Sequence, residues 1–298
     1  MKFGGVIPAL LTPYDSSNRV SEDVVRHLVA QYVQLGVDGL YLCGAAGEGI
    51  LLSVEERKRL VEVVVNEGRK RLRIIVHVGA VRTDDATELG AHAEEAGVDA
   101  IASVPPFFYT GGTEAIYQHY SAIAKRCRLP LLLYNIPSLT GVTVTPQMMA
   151  RFIDIPTVVG MKFSSNDLYQ MRQIYELRKE GLNILSGNDE IFLPALVMGA
   201  DGGIGLTLNF MPKLFMEIFT CFKSGQIDKA QKAQFLANRI IGVLTQFSII
   251  PAAKEIMRLK GFDCGLARGP IEQLTNEQKE RLNAALRAIG FFELDLGV

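Results

Sequence analysis

Eight short apolar runs recur along the chain, at 5–11 (GVIPALL), 38–43 (DGLYLC), 73–78 (RIIVHV), 99–104 (DAIASV), 130–135 (PLLLYN), 157–162 (TVVGMK), 183–187 (NILSG) and 201–205 (DGGIG). Longer amphipathic segments lie between them. The runs are mostly continuous and β-branched, the pattern of parallel strands covered by helices on their outer side. Eight strand–helix units in about 220 residues predict an α/β fold, a (β/α)8 TIM barrel. An open doubly wound sheet is the alternative. Its first strand would normally lead into a glycine-rich phosphate turn, and ALLTPYD is not one.

Helix boundaries carry their own signals. Ser53 and Glu56 in SVEERKRLVEVVV predict a capping box. Thr145 followed by Pro146 places a cap residue before proline at the first helical position. Thr113 is a further predicted cap. LGVDG (35–39), AGVDA (96–100) and MGADG (198–202) form a weak repeat. In it Gly36, Gly97 and Gly199 end helices in the left-handed conformation just before a strand. Past residue 225 the strand signal stops, and 228–247, 251–260 and 275–289 read as helices, the last with Thr275 and Gln278 as a capping box. The predicted organisation is a barrel over 1–225 and a helical extension over 226–298 packed on it.

Composition excludes several classes. The chain has 298 residues and a net charge of −1, so it offers no electrostatic footprint for nucleic acid or an anionic membrane. No segment supplies the roughly 18 uninterrupted apolar residues of a membrane span. The N-terminal run ends at Pro13 without a signal-type cleavage site and reads as the first strand. Cys43, Cys127, Cys221 and Cys264 form no CxxC pair, and their wide spacing predicts reduced thiols in a cytoplasmic protein. His27, His92 and His119 fall on helices outside the predicted barrel. His77 lies within a strand with no second ligand spaced to join it, so no metal and no organic cofactor are expected. The pair Met148–Met149 reads as core filler.

The stretch TVVGMKFSSND (157–167) sets the functional question. It begins as a core strand and ends on Lys162. In a barrel the C-terminal strand ends face the active site, and Tyr134 and the turn Gly44–Glu48 end two further strands there. A lysine can simply snorkel from a strand end to solvent. A lysine amine in a small cavity is instead poorly solvated, which lowers its pKa and leaves free amine near neutral pH. Such an amine attacks a ketone to form an imine, an electron sink for breaking the adjacent carbon–carbon bond. A tyrosine at the next strand end is placed to carry protons.

Several motifs together change this balance: ALLTPYD (9–15), GxxGE (44–48), PPFFY (105–109), YNIPSLTG (134–141), GMK (160–162) and GADGGIG (199–205). In order and spacing the chain resembles the dihydrodipicolinate synthase/N-acetylneuraminate lyase family of class I aldolases over essentially its whole length. SSNDLYQM (164–171), GNDEIF (187–192) and GADGGIGLTLN (199–209) resemble the lyase branch. The resemblance implies a barrel with a helical tail, a homotetramer, and small-molecule 2-oxo acid and aldehyde substrates. It also implies Lys162 as the Schiff-base lysine and Tyr134 as the proton shuttle. Ala45, Ala46, Gly47, Ser164, Gly187, Asp189, Glu190 and Ile204 are the implied substrate-binding positions. Two carboxylates suit a polyol, because each accepts two hydroxyl hydrogen bonds. Helix N-terminal acids are also favoured by the dipole alone.

The departures are equally specific. Ala45 and Ala46 stand where the family carries hydroxyl residues. Phe108 replaces a tyrosine contributed across a subunit interface, with Tyr109 adjacent. Leu206 replaces a sugar-binding serine. Leu139 stands where the synthase branch typically has an arginine. Backbone amides of the Ala45–Gly47 turn remain able to bind a carboxylate. Glu48 reads as structural, holding its own turn. The expected activity is cleavage of an N-acetylneuraminate-like 2-oxo-3-deoxy sugar acid to pyruvate and an aldehyde. The alternatives are a synthase or dehydratase on the same scaffold, and a non-catalytic 2-oxo acid-binding homologue.

Overall fold

The computed structural model describes residues 2–68, 70–178 and 180–298. Each predicted run contains one strand: β1 (Gly5–Pro8), β2 (Gly39–Leu42), β3 (Arg73–His77), β4 (Ala100–Ser103), β5 (Leu131–Asn135), β6 (Val158–Phe163), β7 (Asn183–Ser186) and β8 (Gly202–Gly205). All pairings are parallel. Strands β2 to β8 pair in chain order, and β8 pairs with β1. A bridge between Ala9 and Tyr41, with the Leu10 N–H donating to the Tyr41 carbonyl at 3.0 Å, brings β1 to β2 and closes the (β/α)8 TIM barrel. The first run overshoots its strand because Ala9, Leu10 and Leu11 stay buried beyond β1.

Continuous apolar runs follow from two cores. Successive side chains on a strand point to opposite faces. Leu40, Leu42, Leu131, Leu133, Met161 and Phe163 point outward into the layer shared with the helices. Tyr41, Ile75, Ala102, Leu132, Tyr134, Leu185 and Ile204 fill the barrel interior.

The outer helices are α1 (Glu22–Leu35), α2 (Val54–Gly68), α3 (Thr83–Ala96), α4 (Thr113–Arg126), α5 (Pro137–Thr140), α6 (Pro146–Phe152), α7 (Leu168–Tyr175), α8 (Phe192–Val197) and α9 (Pro212–Lys223). Ser53 and Glu56 form the capping box, with bonds of 2.8 and 3.1 Å. The Thr145 hydroxyl accepts from the Met148 N–H. Gly36 and Gly97 end α1 and α3 in the left-handed conformation, with φ of 75° and 80°. Thr113 is not a cap. It is the first residue of α4, Gly112 holds the cap position, and no side chain bonds the free amides.

The tail forms α10 (Ile227–Leu244), α11 (Ile249–Leu259) and α12 (Asn276–Ala288), the last opened by the Thr275–Gln278 capping box. α10 lies along α9 and touches α8, and α12 packs on α10. No single helix among the described residues is long and apolar enough to cross a membrane.

One glycine is dictated by strand contact. A Cβ at Gly160 would sit 1.8 Å from the Asn183 carbonyl oxygen on β7. The expected result of Gly160→Ala is a loss of about 1–3 kcal/mol, the usual cost of overpacking, read from the midpoint of guanidinium unfolding.

Candidate active site

Lys162 and Tyr134 are direct partners in the β5–β6 register, and the strand period turns both inward at the C-terminal end of the barrel. Lys162 is 3% exposed. Its Nζ lies 4.0 Å from the centre of the Tyr41 ring and 4.3 Å from that of Tyr134. Burial pulls the Lys162 amine down to about 7, and the charge of Asp189 opposes this only in part. Burial also pushes the Tyr134 phenol up to about 12, opposed by the Ser164 hydroxyl, so it stays protonated near neutrality. His77 points inward as well, its ring edge-to-face with Tyr134 at 5.7 Å. Its Nδ1 bonds the Cys43 carbonyl at 3.0 Å, and burial holds it neutral.

A cavity of about 580 Å³ opens over these groups. It brings together seven of the expected site residues: Lys162, Tyr134, Ala45, Ala46, Ser164, Gly187 and Ile204. Among the described residues, the N–H groups of Ala45, Ala46 and Gly47 donate to no protein acceptor, so this turn retains free amides. Gly47 itself lies outside the cavity, its carbonyl accepting from the Thr12 hydroxyl at 2.6 Å. Gly187 matters for room: a Cβ there would lie 1.8 Å from the Ser164 Oγ.

Asp189 and Glu190, both half-buried, do not line the cavity. Asp189 Oδ2 accepts from the Thr207 N–H at 2.8 Å and from its hydroxyl at 2.7 Å. Burial pushes the Asp189 carboxyl up to about 6, and those two bonds pull it back. The Glu190 carbonyl accepts from the Asn238 amide of α10. Phe108 and Tyr109 also lie off the cavity. They stack edge-to-face on the loop after β4, 81% and 78% exposed.

Sequence reasoning missed part of the lining. Ser165, Asn166 and Asn188 supply polar groups at the mouth, with the Asn188 amide donating to Asn166 at 2.6 Å. Their signal was adjacency to Ser164 and Gly187, but which loop residues face inward is not periodic. Tyr41 was missed although it shares the inward parity of its strand. Ile249, at the start of α11, also lines the cavity, so the tail contributes to the site. No cluster of three or more His, Cys, Asp or Glu side chains with metal-binding geometry occurs among the described residues.

Glu48 is structural, as expected, and its N–H closes the turn onto the Ala45 carbonyl at 3.1 Å, but its side chain reaches further. In a left-handed conformation (φ 55°), its carboxylate reaches the tail, pairing with Lys254 of α11 at 2.7 Å and accepting from the Arg268 N–H at 2.6 Å. Both charged side chains are buried, and Lys254 also donates to the Leu266 carbonyl. Removing one partner of such a pair strands the other charge. Lys254→Met is therefore expected to cost about 3–5 kcal/mol in urea unfolding, and to lower turnover by loosening the amide turn.

Comparison with known proteins follows this geometry. The model of the dihydrodipicolinate synthetase family matches residues 2–289. An N-acetylneuraminate lyase of Rhizobium meliloti (strain 1021) is 33% identical over 289 residues, covering 97% of this chain and 96% of the relative. An N-acetylneuraminate lyase of Escherichia coli (strain K12 / DH10B) is 38% identical over 254 residues, 85% of each chain. The solved wild-type sialic acid aldolase of Ruminococcus gnavus superposes with a TM-score of 0.94 at 33% identity, covering 99% of this chain and all of that one. The chain therefore belongs to the dihydrodipicolinate synthetase family.

Proposed function

We infer that this protein is a class I aldolase, a carbon–carbon lyase that reversibly splits a 2-oxo-3-deoxy sugar acid into pyruvate and an aldehyde. The observation that carries the reading is the Lys162 amine, desolvated at the floor of an open cavity and set beside Tyr134 by strand register. Relatives named N-acetylneuraminate lyase support N-acetylneuraminate as the substrate type. Among the described residues, Lys162 is the one charged side chain lining the cavity, which suits a substrate whose tail is a neutral polyol.

The chemistry follows from these groups. Neutral Lys162 attacks the C2 ketone, and loss of water leaves a protonated imine. Tyr134 accepts the C4 hydroxyl proton while passing its own to the bound substrate's carboxylate, which returns it to C3 after cleavage; the C3–C4 bond breaks, and the electron pair moves into the imine as an enamine. The aldehyde departs. Protonation at C3 and hydrolysis release pyruvate and restore the amine. The imine is the electron sink, so the reading invokes neither a metal nor an organic cofactor. Free amides at Ala45 and Ala46 are assigned to the carboxylate, in place of side-chain hydroxyls. Ser164, with Ser165, Asn166 and Asn188, is assigned to the tail hydroxyls. Asp189 does not line the cavity, and its Oδ2 is engaged by the Thr207 amide and hydroxyl, so its assigned role is to hold that wall. The four free cysteines fit a cytoplasmic setting. The exposed Phe108–Tyr109 pair is assigned to a subunit contact in a homotetramer.

Borohydride reduction in the presence of pyruvate is expected to leave a stable adduct on the Lys162 peptide and none in Lys162→Ala. A folded enzyme without adduct at high pyruvate would sink the aldolase reading. Tyr134→Phe is expected to keep the adduct while lowering kcat by about 10²–10⁴-fold, the usual weight of a positioned proton carrier. Because only the neutral amine attacks, kcat/KM should fall about tenfold per pH unit below the Lys162 pKa of about 7.

A further inference from the structure

We propose that the face of the Tyr41 ring is the seat of the positively charged Lys162 nitrogen, as ammonium and as protonated imine. The ring, not its hydroxyl, sets how readily that charge forms. This inference rests on the imine chemistry proposed above.

Tyr41 is fully buried on β2 and does not line the cavity. Lys162 Nζ lies 4.0 Å from its ring centre. A cation over an aromatic face within about 6 Å is attracted by the ring quadrupole, more strongly when water is excluded. Lys162 is buried at the cavity floor, and a buried cation without compensation is costly. Among the described residues Lys162 forms no ion pair with a carboxylate.

The groups around the amine leave the rings this role. Tyr134 faces it from β5 with its own ring at 4.3 Å. His77 faces it from β3 and is held neutral. Asp189, after β7, is the one anion that acts on it, and that carboxylate is engaged by Thr207. Behind Tyr41 lie Cys43, whose thiol burial pushes up, and the buried Arg57 guanidinium, which is of the same sign as the ammonium. Among the described residues the Tyr41 hydroxyl has no hydrogen-bond partner, so no such bond orients the ring. Packing fixes the ring instead. It meets Tyr134 edge-to-face at 5.9 Å, and a Cβ on Gly44 would lie 2.5 Å from its Cε1. The turn that carries the free amides thus opens with a glycine where this ring needs room.

The test keeps the ring's shape and weakens its face. Tyr41→Phe is compared with mono-, di- and trifluorophenylalanine at the same position. The readout is the pH midpoint for labelling of Lys162 by an amine-reactive reagent, mapped by mass spectrometry, which needs no substrate. Tyr41→Phe is expected to keep the wild-type midpoint. Fluorination is expected to lower it stepwise, by about half to one pH unit at three fluorines, a three- to tenfold change in the protonation equilibrium. Trapping of pyruvate by cyanoborohydride should decline along the same series. A flat series overturns the inference, as does a Tyr41→Phe midpoint displaced as far as the trifluoro variant. Wild-type protein that traps no pyruvate sinks the imine reading and leaves the labelling result to judge the ring. Wild-type protein that traps pyruvate beside a flat series sinks the ring alone.

Discussion

The burial of the Lys162 amine at the end of the barrel interior is the condition on which the site depends. A lysine at a strand end normally sends its ammonium to solvent. Here the barrel interior closes around it, and two aromatic faces stand where a carboxylate would otherwise be expected. Desolvation by itself disfavours the charged form, and electron-rich rings favour it modestly. Burial pulls the amine down to about 7 and the charge of Asp189 opposes this in part, leaving it poised between nucleophile and cation. A buried carboxylate partner would have held it as an inert ammonium.

That balance requires a rigid surround, and the tail helps to supply it. Glu48 leaves the amide turn in a left-handed conformation and pairs with Lys254 on α11. The guanidinium of Arg268 in turn bonds both oxygens of Glu56, at the start of α2. The turn that presents free amides to the cavity is therefore clamped from a region some 200 residues later in the chain (|i−j| 220 between Glu48 and Arg268). α11 also contributes Ile249 to the cavity wall. The helical extension is part of the site's architecture as well as a cover for the barrel.

The departures at Ala45 and Ala46 take on a physical meaning in this setting. Their side chains offer no hydrogen bond, yet their amides stay free and the wall they form is apolar. A carboxylate bound there meets backbone dipoles in a dry environment, where each is worth more than in water. Thr207 has a related role on the other side, because it holds Asp189 through both its amide and its hydroxyl. The polar surface left at the mouth is made of serine hydroxyls and asparagine amides.

Local chemistry in the sequence determined the eight strands, most helix ends, and the two residues that meet at the centre. Continuous apolar runs, capping boxes and glycines before strands are short-range signals, and strand parity places Tyr134 and Lys162 on one face. Only the tertiary structure decided what surrounds them. Tyr41 reaches Lys162 because barrel closure curves β2 round to face β6, a relation no local period encodes. Glu48 looked like a turn residue because its partners lie on the tail. Thr113 looked like a cap because composition cannot distinguish the residue before a helix from the first residue within it. Asp189 is held by the amide and hydroxyl of Thr207, a contact its motif does not encode. A nitrogen's charge state depends on everything within a few ångströms in three dimensions. The lysine was therefore legible in the sequence, and the environment that tunes it was not.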